Sequence, residues 1–183
     1  MLEVEQKFRV DEEAKLLSCL EAIGAVADTT EIHEDIYYAH PARDFRQTTE
    51  ALRIRVVNGV PMITYKGPKL PGSMKVRKEL EWRLDPGDPC GRQTMEMLDL
   101  LGFKPVATVR KSRNVFHLSE SHLTVAVDNV ERLGLFAEIE CLVSEVPEID
   151  GAKKRIEQAQ RQLGLEKKEK RSYLGMLLEL SEP

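Results

Sequence analysis

The sequence predicts an α+β fold in which antiparallel strands carry one charged face and one apolar face. Charged and apolar residues alternate along most candidate strands, and a period of two is typical of strands covered on one side. Three segments show the wider apolar spacing of amphipathic helices, which can cover the apolar faces. The 183 residues are enough for one domain with a hydrophobic core, and we expect residues 1–183 to form a single domain.

Helices are indicated by apolar residues at helical spacing. The first three predicted helices each end at a glycine that can adopt the left-handed cap conformation. Asp11 is a suitable N-cap for the first helix, and a short apolar segment near the C-terminus is expected to pack as a fourth. The predicted bounds are Asp11–Gly24, Asp88–Gly102, Gly151–Gly164 and Tyr173–Leu180.

Strands are indicated where charged or polar residues alternate with apolar ones. The N-terminal strand places Glu3, Glu5, Lys7 and Arg9 on one face and apolar residues on the other. The later candidates show the same pattern, with like charges two residues apart. They are Asp35–Tyr38, Ala51–Val57, Pro61–Lys66, Val76–Leu84, Val106–Leu118, His122–Asn129 and Phe136–Val143.

The charged strand faces must point to water, because the helices cover only the apolar faces. In an open sheet they would form an ordinary solvated surface, whereas in a closed β-barrel they would line an interior with both signs of charge. Seven or eight long antiparallel strands can close, and closure removes exposed strand edges. The inward charges would be Glu3, Glu5, Lys7, Arg53, Arg55, Lys66, Arg77, Glu79, Glu81, Lys111, Arg113, Asp128, Glu138 and Glu140.

Paired carboxylates on a strand face are chemically suited to a divalent metal ion. Glu3 and Glu5 can share a cation such as Mg²⁺ or Mn²⁺, because hard oxygen ligands suit hard cations. Lys7, further along the same face, can hold an anion that the metal also binds. The alternative is a solvated strand face, but repetition of the pattern on five strands favours a site for a polyphosphate.

The overall composition excludes several other classes of protein. The net charge of -4 argues against general nucleic-acid binding. The three cysteines are far apart, so the sequence indicates neither a disulfide framework nor a zinc site. The sequence lacks an apolar run long enough for a membrane span and an N-terminal signal pattern, so we expect a cytoplasmic protein without a membrane partner.

A Gly- and Pro-rich loop, Gly67–Ser73, separates two of the predicted strands and is flanked by basic residues. Lys66, Lys69 and Lys75 lie in or beside it. The loop is either a plain solvated turn or a lid over an anionic ligand. The sequence does not decide between these two interpretations.

Several blocks, in this order along the chain, resemble the CYTH superfamily, whose members are also called triphosphate tunnel metalloenzymes. The resemblance covers essentially the whole chain, and it implies an eight-stranded antiparallel tunnel barrel that holds a divalent metal ion and a nucleoside or inorganic triphosphate. The blocks are Glu3-x-Glu5-x-Lys7, Leu52-Arg53-Ile54-Arg55, Tyr65-Lys66-Gly67, Arg77-Lys78-Glu79-Leu80-Glu81, Lys111-Ser112-Arg113, Asp128 and Phe136-Ala137-Glu138-Ile139-Glu140.

Four further stretches, 33–38, 101–107, 133–139 and 171–173, look most like the class IV adenylate cyclase branch. This resemblance implies conversion of ATP to cyclic AMP and pyrophosphate. Triphosphatases that act on thiamine triphosphate or inorganic tripolyphosphate share the same blocks and stay open as the alternative. A non-catalytic module that binds polyphosphate or nucleotide is a third possibility, which the full set of carboxylates argues against. A homodimer is also left open.

Carried over position by position, the resemblance implies that Glu5 and Glu138 are the principal ligands of Mg²⁺ or Mn²⁺. Glu3, Asp128 and Glu140 would be further ligands or would support them. Lys7, Arg53, Lys111 and Arg113 would bind the triphosphate and serve catalysis. The remaining triphosphate contacts would be Arg55, Lys66, Arg77, Lys78 and Arg171.

Overall fold

A computed structural model of the chain, which describes residues 1–180, forms a closed antiparallel β-barrel with helices packed on its outside. The order around the barrel is β1-β5-β4-β3-β2-β6-β7-β8, and β8 pairs again with β1. The eight-stranded barrel is therefore confirmed. The strands are β1 (Leu2–Arg9), β2 (Val26–Ala39), β3 (Ala51–Val57), β4 (Val60–Lys66), β5 (Lys75–Arg83), β6 (Lys104–Leu118), β7 (Leu123–Val130), β8 (Gly134–Val143) and the short β9 (Lys168–Glu169).

The N-terminal strand β1 closes the barrel. It pairs with β8 along its whole length, from Leu2 to Arg9. On its other side, β5 pairs with the first half of β1 and β9 with residues Lys7 and Phe8. The strand that carries Glu3, Glu5 and Lys7 thus has neighbours on both sides and cannot leave without opening the wall.

The hydrophobic core lies between the outer face of the barrel and the helices. One cluster joins α1 and α4 to β1, β7 and β8, with Val4, Phe8, Leu20, Ile139 and Ile156 fully buried in it. A second cluster lies under α3, against β2, β3 and β4. Outward apolar residues therefore stabilise the wall and leave its inner face for charged groups. The helices are α1 (Glu13–Ala22), α2 (Phe45–Thr48), α3 (Arg92–Leu100), α4 (Ile149–Gln162) and α5 (Tyr173–Glu179).

Helix α5 lies over one end of the barrel. Its residues Tyr173, Met176 and Leu177 form an apolar cluster with barrel residues that include Tyr37 and Phe136. Ser172 caps the helix, because its side chain accepts a hydrogen bond from the backbone N–H of Gly175. Within residues 1–180, none of the helices is long and apolar enough to cross a membrane.

The predicted helices are present, with bounds that differ by a few residues. Gly24, Gly102 and Gly164 follow them with φ of 73°, 88° and 64°, so the left-handed caps are confirmed. The Asp11 N-cap was wrong: α1 begins at Glu13. The Asp11 carboxylate instead accepts a hydrogen bond of 2.5 Å from Lys167 Nζ.

The largest difference from the predicted strands is in β2. The alternation indicated only Asp35–Tyr38, whereas the strand runs from Val26 to Ala39 and pairs with β3 and β6. Its first residues are exposed and mostly polar. Because no face of that segment is buried, it shows no alternation from which a strand could have been predicted.

We predict that Ile156→Ala lowers the free energy of unfolding by about 2–5 kcal/mol, because it leaves a cavity where α4 contacts the barrel. Ile156 is fully buried in the cluster shared with β1, β7 and β8. Urea denaturation measures the change, and Glu157→Ala at the adjacent exposed position is the matched control. Equal stability of the two variants would show that α4 does not stabilise the wall.

Candidate functional site

The barrel encloses a cavity of about 1300 Å³ lined by the inward face of its strands, hereafter called the tunnel. Its wall includes glutamate, lysine and arginine side chains, and so carries charges of both signs. Most of the residues that the sequence indicated meet here. They are Glu3, Glu5, Lys7, Arg53, Arg55, Lys66, Arg77, Glu79, Glu81, Lys111, Arg113, Glu138, Glu140 and Arg171.

Glu3, Glu5 and Lys7 of β1 each contact an opposite charge from another strand. Lys66 Nζ lies 2.9 Å from Glu3 Oε2, and Lys75 Nζ lies 2.7 Å from Glu5 Oε1. Lys7 Nζ lies 3.1 Å from Glu138 Oε1. All three β1 side chains are buried, so each charge needs this partner to offset its lost hydration.

Asp128 holds the basic groups of β6 in place. Its carboxylate accepts hydrogen bonds from Lys111 Nζ at 2.8 Å, from two nitrogens of Arg113 at 2.7 Å each, and from Tyr173 Oη at 2.8 Å. Burial opposes the charged form, but Lys111 and Arg113 outweigh it and lower the pKa of Asp128 to about 2. These four contacts orient Lys111, Arg113 and Tyr173, while a place for Asp128 among the metal ligands stays a prediction.

Asp35 on β2 plays the same part for the basic groups of β3, and the sequence did not indicate it as a site residue. Its carboxylate accepts two hydrogen bonds from Arg55, at 2.6 and 2.8 Å, and one of 3.2 Å from Arg53. Burial works against the charge, yet the two guanidinium groups hold the pKa of Asp35 below its ordinary value. Bidentate pairing fixes the plane of the Arg55 guanidinium.

Carboxylates gather where β1 lies beside β8. Glu5 and Glu140 are directly opposite each other in this antiparallel pair. Burial raises the pKa of Glu140 to about 8; Arg113 opposes the shift, while Glu3, Glu138 and Glu5 reinforce it. Glu140 therefore keeps its proton to a higher pH than an exposed glutamate does.

The donor set of this cluster fits a divalent cation, since it offers several hard oxygen ligands that repel one another. Among residues 1–180, no three His, Cys, Asp or Glu side chains are already arranged around a common metal position. The carboxylates contact lysine and arginine instead, as the ion pairs of Glu3, Glu5 and Glu138 show. A metal ion would have to replace some of these contacts.

Two residues carried over from the resemblance are placed less favourably for binding a triphosphate. Lys78 is exposed on the outer face of β5, because it follows the inward-facing Arg77 and successive strand residues point to opposite sides. We therefore remove Lys78 from the candidate set. Arg171 does reach the tunnel lining, but its guanidinium is bound to Glu169 at 2.6 Å and to Glu179 at 2.7 Å.

The tunnel is also lined by Lys75, Tyr173 and His33, which were not among the site residues predicted from the sequence. Lys75 pairs with Glu5, as described above. Lys7 Nζ lies 3.5 Å from the centre of the Tyr173 ring, which places α5 against the site. His33 is buried beside Lys111, its Nε2 lies 2.6 Å from Glu31 Oε2, and its Nδ1 has no hydrogen-bond partner. Burial, reinforced by Arg55 and Lys111, lowers the pKa of His33 to about 2, so the imidazole is neutral.

Comparison with known proteins finds relatives that match nearly the whole length of this chain. A protein of Methanocaldococcus jannaschii named "putative adenylate cyclase" is 34% identical over 178 residues, covering 96% of this chain and 98% of that protein. The solved structure of a Pyrococcus horikoshii protein is 42% identical with a TM-score of 0.88, covering 97% of this chain and 99% of the other.

A more distant solved structure, from Hippeastrum, is described as a "putative adenylyl cyclase" that "reveals a dominant" triphosphatase activity. It is 20% identical with a TM-score of 0.65, covering 99% of this chain and 97% of the other, and shows that the fold is shared. The family described as the CYTH domain matches residues 1–173, which include every strand of the barrel. With its closed barrel and charged interior, this chain belongs to the CYTH domain family.

Proposed function

We propose that this chain is a divalent-metal-dependent enzyme that acts on triphosphates inside the tunnel, and that its preferred reaction converts ATP to cyclic AMP and pyrophosphate. The observation that carries the triphosphate assignment is the set of buried basic groups on the inner wall, among them Arg53, Arg55, Lys111 and Arg113. The choice of cyclisation is supported by the name of the 34% identical archaeal relative.

The basic side chains are held in position before any ligand arrives. Asp35 orients Arg53 and Arg55 of β3, and Asp128 orients Lys111 and Arg113 of β6. Preorganised positive charge of this kind stabilises a transition state in which negative charge accumulates on phosphate oxygens. The carboxylate scaffold thereby limits the reorganisation needed during the reaction.

Binding of a triphosphate would change the partners of Glu138. This carboxylate is shared between Lys7 and Arg113, and both of those groups also face the tunnel. When phosphate oxygens take over Lys7 and Arg113, Glu138 loses the contacts that occupy it and becomes available to a metal ion. We therefore propose that triphosphate and metal bind together more tightly than either binds alone.

In cyclisation, the ribose 3′ oxygen bonds to the α-phosphorus and loses its proton to solvent, while pyrophosphate leaves with the electron pair of the broken P–O bond. Lys7, Lys66 and Arg113 neutralise charge along the phosphate chain. Glu5 and Glu138, with Glu3 and Glu140, would hold the metal. A bound divalent cation would supply charge neutralisation at the nucleophile and the leaving group.

Hydrolysis of triphosphates is the second candidate. It is favoured by the triphosphatase activity described for the Hippeastrum protein, which shares the fold. The same basic residues would serve both reactions, because both develop negative charge on phosphate oxygens. The reactions differ in which phosphorus meets the nucleophile: the α-phosphorus in cyclisation, and the terminal one in attack by water.

We predict that activity towards triphosphates requires Mg²⁺ or Mn²⁺ and stops when EDTA removes the metal. Glu5→Gln and Glu138→Gln should each raise the activation free energy by about 3 kcal/mol, the scale for losing a key electrostatic contact. Steady-state rates over a range of metal concentrations measure both effects. Glu34→Gln, an exposed residue of β2 paired with Arg110, is the control. Undiminished rates in EDTA would contradict the metal requirement.

We predict that the basic groups recognise phosphate rather than base, so that Lys111→Ala weakens binding of ATP and of inorganic tripolyphosphate alike. Calorimetric titration in the absence of turnover gives both dissociation constants. Arg110→Ala removes a neighbouring charge from the outer face of the same strand and should leave both unchanged. A loss confined to ATP would show that Lys111 contacts the nucleoside.

We predict that incubation with ATP and metal yields cyclic AMP and pyrophosphate in equal amounts, because only the cyclisation reaction releases both. Chromatography of the products identifies them, with thiamine triphosphate and tripolyphosphate as parallel substrates. Orthophosphate from all three substrates, without cyclic nucleotide at any pH tried, would replace the cyclase assignment by a triphosphatase.

A further inference from the structure

Two basic groups of the tunnel lack the carboxylate partner that most of its cations have. Within the described residues, Lys7, Arg53, Lys66, Lys75 and Arg113 all form ion pairs. Arg77 and Lys69 line the same cavity without one, and the Nε of Arg77 is buried without any hydrogen-bond partner. One part of the tunnel wall, around Arg77 and Lys69, therefore carries uncompensated positive charge.

That place lies where the loop between β4 and β5 meets the start of β5. Lys69 belongs to the loop, and its backbone N–H donates to Thr49 Oγ1 at 2.9 Å, which fixes the loop against the segment before β3. Burial lowers the pKa of Lys69, and Lys75 and Arg77 add to the shift, so these three cations are close enough to repel one another. Glu5 pairs with Lys75 and offsets only part of this charge.

We propose that Lys69, together with Arg77 and Lys75, forms the subsite for the terminal phosphate of the triphosphate bound in the tunnel. This inference rests on the proposed function, and it adds which end of the triphosphate lies beside the loop between β4 and β5. A terminal phosphate carries more charge than an internal one, so it gains most where cations are unpaired. Lys69 and Arg77 can then donate to it without first breaking an ion pair, and Lys75 adds its charge beside them.

The proposal also gives a role to the Gly- and Pro-rich loop. Lys69 is the loop residue that reaches both the tunnel and a smaller cavity of about 160 Å³, which lies beside Gln6 and Glu169. The loop therefore contributes a phosphate ligand to the site, and is more than a solvated turn.

The experiment compares ATP with ADP, which differ by the terminal phosphate. Both are titrated calorimetrically into wild type, Lys69→Ala and Lys78→Ala in EDTA, so that no turnover occurs and only the chain's own charges act. Loss of one lysine–phosphate contact should weaken ATP binding by about tenfold and ADP binding by less than about twofold. Lys69→Arg should restore the preference for ATP. Lys78→Ala removes the same charge from the outer face and should change neither.

Equal losses for ATP and ADP in Lys69→Ala would overturn the subsite, because they would reflect the general field of the tunnel. Losses no larger than those of Lys78→Ala would overturn it as well. If wild type binds neither ATP nor inorganic tripolyphosphate, in EDTA or with Mg²⁺ present, the proposed function itself fails and this inference fails with it. Circular dichroism confirms that each variant is folded.

Discussion

The pairing of buried charge is the constraint on which this structure depends. Moving an unpaired ion out of water costs several kcal/mol even after relaxation, and the tunnel buries charged groups on most of its strands. Asp35 on β2 and Asp128 on β7 meet this requirement, each by accepting hydrogen bonds from two basic residues. Removing either aspartate, or the basic residues that pair with it, would leave a buried charge uncompensated.

The same constraint separates the two faces of the barrel wall. Apolar residues point outward to α1, α3 and α4, so the hydrophobic core lies outside the tunnel. The interior can then be specialised for charge without weakening that core. A ligand that enters must exchange with ion pairs already present, which favours a ligand whose own charge is high and spread along its length.

Alternation along the strands predicted much of the site, because inward residues such as Arg53, Arg113 and Glu138 are separated by apolar outward ones. It failed at Asp35 and His33, since β2 also carries a charged residue, Glu34, on its outer face. Alternation also cannot predict whether the side chain of a loop residue such as Lys69 points into the tunnel, because a loop lacks the period of two that strands have. The packing of α5 against the tunnel depends on contacts between distant parts of the chain, which no local pattern records.

The pairing of β1 has a consequence for how the chain folds as it is synthesised. The first strand to emerge finds its full-length partner only when β8, ending at Val143, has been made. Until then its charged face has no enclosed interior to line, and its apolar face has no completed wall. Contacts this distant in sequence slow folding. Because Glu138 and Glu140 lie on β8, the carboxylate cluster is completed only when β8 pairs with β1 and the barrel closes.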